Sequence, residues 1–137
     1  MVAAVCTWHE RHAAAVTEID GRLAGGEPMA VPGPALVETY AVLTRLPSPH
    51  RLSAADAWTL VEANFIRHSS VTALSGAAYV KLLRRVAHQA IIGGRTYDAV
   101  IAECARQAKA ETLLTFNRQH FDPPPAGVSV VEPSQPG

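Results

Sequence analysis

Apolar positions along the chain follow a helical rhythm broken by short continuous runs. Between residues 7 and 24, Ala13, Val16, Ile19 and Leu23 recur at helical spacing, Thr7 stands at a capping position, and Gly25-Gly26 closes the segment. Residues 28–31 form a short apolar run between breakers, the pattern of a buried strand. Gly33-Pro34 opens a second helix through Leu36, Val37, Tyr40, Val42 and Leu43, with Pro in the first turn, where its missing N–H costs nothing; Pro47-Ser48-Pro49 stops it. Ser53 caps a third helix running through Trp58, Leu60 and Val61 to about Phe65, with Asp56 at the capping-box position where Glu is more usual. Residues 70–74 predict a strand, and 76–92 a helix with Lys81, Arg84, Arg85 and His88 on its polar side. After Gly93-Gly94, Thr96 caps a helix whose core stripe is Tyr97, Ile101, Cys104 and Ala108. Residues 112–116 read as a buried strand, 117–121 as the loop after it, and 128–131 as a final strand.

Short apolar strands alternating with helices predict an α/β fold with a mainly parallel sheet covered on both faces. The length of 137 residues suits one domain, expected over 1–132 with 133–137 as a tail. In such sheets ligands bind beyond the carboxyl ends of the strands, which draws attention to the turn at 31–38, the helix start at 94–98 and the loop at 116–118.

Composition narrows the function classes. Twelve basic residues balance twelve acidic ones, so net charge gives no argument for nucleic-acid binding and any such surface must be local. Cys6 and Cys104 are far apart, lack a CxxC partner and are expected to be reduced core residues. No apolar run reaches the ~20 residues of a membrane span, and the apolar start has no basic lead-in of a signal peptide, so a cytoplasmic address is expected.

Two carboxylates stand out. Glu38 sits among apolar neighbours in a helix expected to be buried on most sides, where a carboxylate is costly unless paired, metal-bound or facing a cleft; complementing the helix dipole is the competing explanation. Asp98 carries the same two readings near the cap Thr96. Two carboxylates meeting at a sheet edge make an oxygen site suited to Mg2+ or Mn2+, the chemistry of phosphodiester hydrolysis. Asn117, directly after a strand, is either a turn residue or a group that holds a water or phosphate. Arg95 and Arg118 are candidate phosphate contacts or plain surface charges. His9 and His12 lie three apart on a helix but lack a third convergent ligand, and no GxSxG, P-loop or Rossmann fingerprint occurs.

Three blocks resemble PIN-domain proteins of the VapC toxin type. They are Ala35-Leu-Val-Glu38-Thr-Tyr-Ala-Val-Leu-Thr-Arg-Leu-Pro47, Gly93-Gly-Arg-Thr-Tyr-Asp98-Ala-Val-Ile-Ala102, and Leu113-Leu-Thr-Phe-Asn117-Arg-Gln-His-Phe121. The resemblance covers nearly the whole chain. It implies a PIN-like three-layer sandwich and a divalent-metal-dependent ribonuclease, held inactive by a cognate antitoxin and often a homodimer. By motif match, Glu38 takes the family's second acidic position, Asp98 the third and Asn117 the fourth. The family opens with a strand ending in Asp, and here that first strand and its Asp are missing; no acid precedes Glu10. Either the natural chain begins a few residues upstream, or this is a catalytically impaired homologue that serves as an antitoxin- or RNA-binding module.

Overall fold

Caps and breakers set the element boundaries. A computed structural model describes all residues from Met1 to Gly137. The order is α1 (Val2–Val5), α2 (His12–Ala24), β1 (Met29–Pro32), α3 (Gly33–Arg45), α4 (Ala54–Phe65), β2 (Ser69–Thr72), α5 (Gly76–His88), α6 (Arg95–Gln107), β3 (Thr112–Leu114), a 3-10 turn (Arg118–Phe121) and β4 (Ser129–Val131). The α/β class expected from the alternation is the class found. The expected helix over 7–24 is shorter: its first residues form turns, with the His9 and His12 amides donating to the carbonyls of Cys6 and His9. Gly26 follows the end of α2 with φ of +85°, where a Cβ is disfavoured. The helix expected over 76–92 ends earlier, at His88, and Gly93, with φ of +58°, lies in the loop just before α6.

Two compact units make up the chain. The first comprises residues 1–71 with 133–137. Its core is Cys6, Leu43, Ala57 and Val61, flanked by Val2, Val5, Leu36 and Ile66. Helices α3 and α4 pack on each other, and β1 pairs with β2. Ser53 caps α4 as its sequence predicts: its Oγ accepts from the Asp56 amide at 3.1 Å and donates to Asp56 Oδ2 at 2.7 Å. Asp56 thus holds the capping hydroxyl, whereas Glu in the usual capping box reaches back to the backbone N–H of the cap residue. Gln135 Nε2 donates to the Glu10 carbonyl at 3.3 Å, which ties the tail to this unit.

Residues 72–132 form the second unit. Here β3 and β4 pair in parallel, with Leu113 opposite Val130. Helix α6 is buried on two adjacent stripes. Cys104, with Ala99 and Val100, packs with Leu82 and Val86 of α5; Ala105, with Ile101 and Ala102, packs with Leu113, Phe121 and Val128. Tyr97 does not join the core stripe expected of it: it is 74% exposed. The helix starts at Arg95, with Gly94 rather than Thr96 at the cap position, and Tyr97 lies in its first turn, ahead of the residues that pack against α5. Both cysteines are buried free thiols, and burial pushes both pKa values up. No helix is long and apolar enough to cross a membrane.

Periodicity alone gave no sign that Glu103 is buried. It is 7% exposed, and its carboxylate accepts from Arg106 Nε at 3.2 Å and from Arg85 Nη1 and Nη2 at 3.4 Å. The Arg106 hydrogen bond, chiefly, holds the Glu103 carboxyl below the usual carboxylate range, against a burial effect that pushes it up; Arg85 adds to the lowering. A depressed folded pKa stabilises the fold above the ordinary Glu value of ~4.3, and that stabilisation fades as pH falls through the depressed value. Glu103→Gln is therefore expected to lower stability by about 1–2 kcal/mol at neutral pH and by less in acid. Urea denaturation at pH 7 and pH 3.5 checks this; an equal loss at both would show that packing, not charge, is what the substitution removes.

Candidate functional site

Each candidate residue is carried by an element that the packing above fixes. Glu38 lies on α3 in the first unit. It is exposed, as are Val37 (71%) and Tyr40, whereas Thr39 and Leu43 turn inward. The expectation of a helix buried on most sides does not hold here, because an almost unbroken apolar sequence cannot say which stripe faces the core. Glu38 therefore carries no burial penalty that demands a partner. Its carboxylate is near enough to the Met1 ammonium to raise that group's pKa, against the larger lowering caused by burial.

Asp98 stands in the first turn of α6, where the free N–H groups favour negative charge. Its side chain is 26% exposed. Oδ2 is 3.2 Å from His120 Nδ1 and 4.0 Å from Arg95 Nε. Arg95 Nη2 also donates to the His120 carbonyl at 3.3 Å, which closes a three-residue cluster. His120 was not among the residues the sequence singled out. Its 22-residue separation from Asp98 leaves no local pattern, and only the position of the 3-10 turn against α6 reveals it.

That turn has a clear local cause. Phe121 is buried with Ala105, Leu113 and Val128 and anchors its end. The Asn117 amide donates to Thr115 Oγ1 at 3.0 Å, and the Asn117 carbonyl accepts from the His120 amide at 2.9 Å. Asn117 and Arg118 are exposed and line a groove of about 830 Å³ with Phe116, Asp122, Ser129 and Glu132. So Asp98, Arg95 and His120 form one cluster, while Asn117 and Arg118 face the neighbouring groove from the same turn.

A divalent cation such as Mg2+ or Mn2+ takes oxygen donors, and Asp98 and Glu38 offer them. By donor type, therefore, the carboxylates fit. By number they supply little: no three His, Cys, Asp or Glu side chains converge anywhere in the chain. Mg2+ tolerates this, since it keeps several waters and is commonly held by one or two carboxylates together with phosphate oxygens. His9 and His12 are spent elsewhere: His9 Nδ1 accepts from the Arg11 amide at 3.1 Å, and His12 Nδ1 lies 2.8 Å from the Ala3 carbonyl. Arg85, on the basic face of α5, is paired with Glu103.

The PIN domain family matches residues 1–123. The chain belongs to the PIN-domain family. This PIN-domain chain is 36% identical over 113 residues to Ribonuclease VapC40 of Mycobacterium tuberculosis (strain CDC 1551 / Oshkosh), covering 82% of the chain and 78% of that relative. The protein of the same name from strain ATCC 25618 / H37Rv matches equally, and Ribonuclease VapC27 of that strain is 37% identical over 123 residues, 90% of the chain and 84% of the relative. The matched span takes in Glu38, Asp98, Asn117 and the 3-10 turn.

Because Phe121 holds the turn that carries His120, Phe121→Ala is expected to destabilise the PIN fold by about 3 kcal/mol. It should also broaden the backbone amide signals of residues 117–121 in a 15N NMR spectrum. Unchanged stability and unchanged signals would show that the turn is held by its own hydrogen bonds rather than by the buried ring.

Proposed function

We propose that this chain is a ribonuclease toxin of a toxin–antitoxin pair, which cleaves RNA phosphodiester bonds with the help of Mg2+ or Mn2+. The observation that carries this reading is the match, over 82% or more of the chain, to relatives named ribonucleases. The cluster around Asp98 supports it, because it sets a partly exposed carboxylate beside the Arg95 guanidinium, a cation suited to a polyanion.

In this reading Asp98 and Glu38 are the carboxylates that hold the cation. A divalent ion so held supplies Lewis-acid stabilisation of charge on phosphate and lowers the pKa of a bound water. The chain's own groups do the rest. The Asn117 side-chain amide hydrogen-bonds and orients the attacking water. Arg118 neutralises phosphate charge along the groove, and Arg95, whose guanidinium has five donors, adds a phosphate contact beyond those it makes within the cluster. The functional unit is residues 1–132, with 133–137 as a tail. Its partners are a cognate antitoxin, an RNA substrate and a second copy of the chain in a homodimer. Its place is the cytoplasm, with no membrane role.

A second reading has one observation in its favour: the chain gathers no three metal-type ligands. In that reading the protein is a catalytically impaired homologue that binds an antitoxin or RNA without cutting.

Incubation of the purified chain with total RNA separates the two. A ribonuclease cleaves in Mg2+ or Mn2+ and stops in EDTA, and Asp98→Asn lowers the rate by roughly 100-fold or more. Glu38→Gln and Asn117→Ala lower it as well. Cleavage that persists in EDTA or in Asp98→Asn overturns the metal-dependent reading. No cleavage under any condition, together with a stable complex with the product of an adjacent gene, establishes the binding module.

A further inference from the structure

The chemistry proposed for Asp98 requires its carboxylate to present one oxygen in a fixed direction. A surface aspartate at the start of a helix has no such constraint by itself, since its side chain rotates among several staggered positions. Asp98 is held differently. Both of its close neighbours, His120 Nδ1 at 3.2 Å and Arg95 Nε at 4.0 Å, bear on the same oxygen, Oδ2. Contacts placed on the Oδ2 side bias the carboxylate toward one orientation. The same Arg95 ties the backbone of His120 through its carbonyl, so the three groups brace one another.

The position of His120 is itself built in. The amide of His120 donates to the Asn117 carbonyl, and the next residue, Phe121, is buried in the core beside Ala105 of α6. The imidazole therefore approaches the first turn of α6 from a segment fixed on its other side. A half-exposed histidine on a free loop would give Asp98 a transient contact; one anchored this way gives it a wall.

We infer that His120 is a positioning residue: through Nδ1, on the Oδ2 side, it holds the Asp98 carboxylate in the orientation in which it meets a divalent cation. This rests on the reading of Asp98 as a cation-holding residue. Carboxylates that bind metals are commonly oriented by an outer hydrogen-bonding partner, and loss of such a partner typically weakens metal affinity ~10–100-fold. His120 does not touch the cation in this arrangement. Its contribution is direction, and it follows the location of a single ring nitrogen, Nδ1.

That last point sets the test, because two amides of similar polarity place their donors differently. The nitrogen of Asn overlays imidazole Nδ1, whereas the nitrogen of Gln reaches the Nε2 position. Mn2+ is titrated calorimetrically into the full chain, His120→Asn, His120→Gln and Asp98→Asn, without RNA. His120→Asn is expected to keep most of the Mn2+ affinity, and His120→Gln to lose ~10-fold or more. Equal affinities in the Asn and Gln variants, or tighter binding in either than in the parent, overturn the inference; tighter binding would mean that His120 competes with the cation. Asp98→Asn separates the layers. If it abolishes Mn2+ binding while the two His120 variants match the parent, only the positioning role fails. If it leaves Mn2+ binding unchanged, Asp98 is not a ligand, and the reading beneath this one fails with it. Thermal melts of all four proteins confirm that each is folded before titration.

Discussion

Helix α6 is buried on two adjacent stripes, and this double packing fixes the rest of the second unit. Val100 and Cys104 face α5, while Ile101 and Ala105 face β3 and the 3-10 turn. Residues one apart on a helix point about 100° from each other, so a stripe at 100/104 and one at 101/105 need partners on two sides. Cys104, only 1% exposed, sits where the first stripe is tightest. A helix gripped this way cannot roll. The direction of its first turn, and so of Asp98, follows from apolar packing several residues further on. Candidate chemistry at the N-terminal end thus depends on small residues near the C-terminal end.

Electrostatics along the same helix are arranged at both ends. Asp98 lies where the dipole favours negative charge. Glu103 lies toward the end where the dipole disfavours it, and it is also buried. Two arginines offset this. Arg106 reaches from the same helix and Arg85 from α5, so the carboxylate becomes a clasp between the two helices. The sequence shows Arg85 as one member of a basic face, with the appearance of surface solubility. In the fold its function is to satisfy a buried acid 18 residues away.

The elements were largely legible because their boundaries are written in short-range chemistry: Ser53 with Asp56, Pro34 in a first turn, glycine pairs at helix ends. What escaped is what depends on contact between distant segments. The face of α3 could not be read from Ala35-Leu-Val-Glu-Thr-Tyr-Ala-Val-Leu43, where nearly every position is apolar, so Glu38 looked enclosed and is exposed. Tyr97 fitted the stripe of α6 by spacing, but the helix begins too close to it for the core to reach that far. Candidate carboxylates were legible by residue type and by their family motifs. The partners of Asp98 were not, because His120 is brought to it by the burial of Phe121, and no periodicity encodes that.

One physical objection to Asp98 as a cation-holding residue is that two nitrogen groups already face it. Magnitudes answer it. Unit charges 4 Å apart attract by about 4 kcal/mol at an effective dielectric of 20, but the Arg95 side chain is half exposed, and exposed pairs are worth roughly 0–1 kcal/mol after solvent screening and side-chain entropy. Such contacts are too weak to exclude a divalent ion from the carboxylate. They are of the size that shifts a side-chain torsion, since moving one ~30° off a staggered position costs about 0.5–1.5 kcal/mol. The cluster around Asp98 is therefore better suited to orienting the carboxylate than to neutralising it. The distinction matters because both contacts fall on Oδ2. Contacts on that side bias the carboxylate toward one orientation at the head of a helix whose position the core has already fixed.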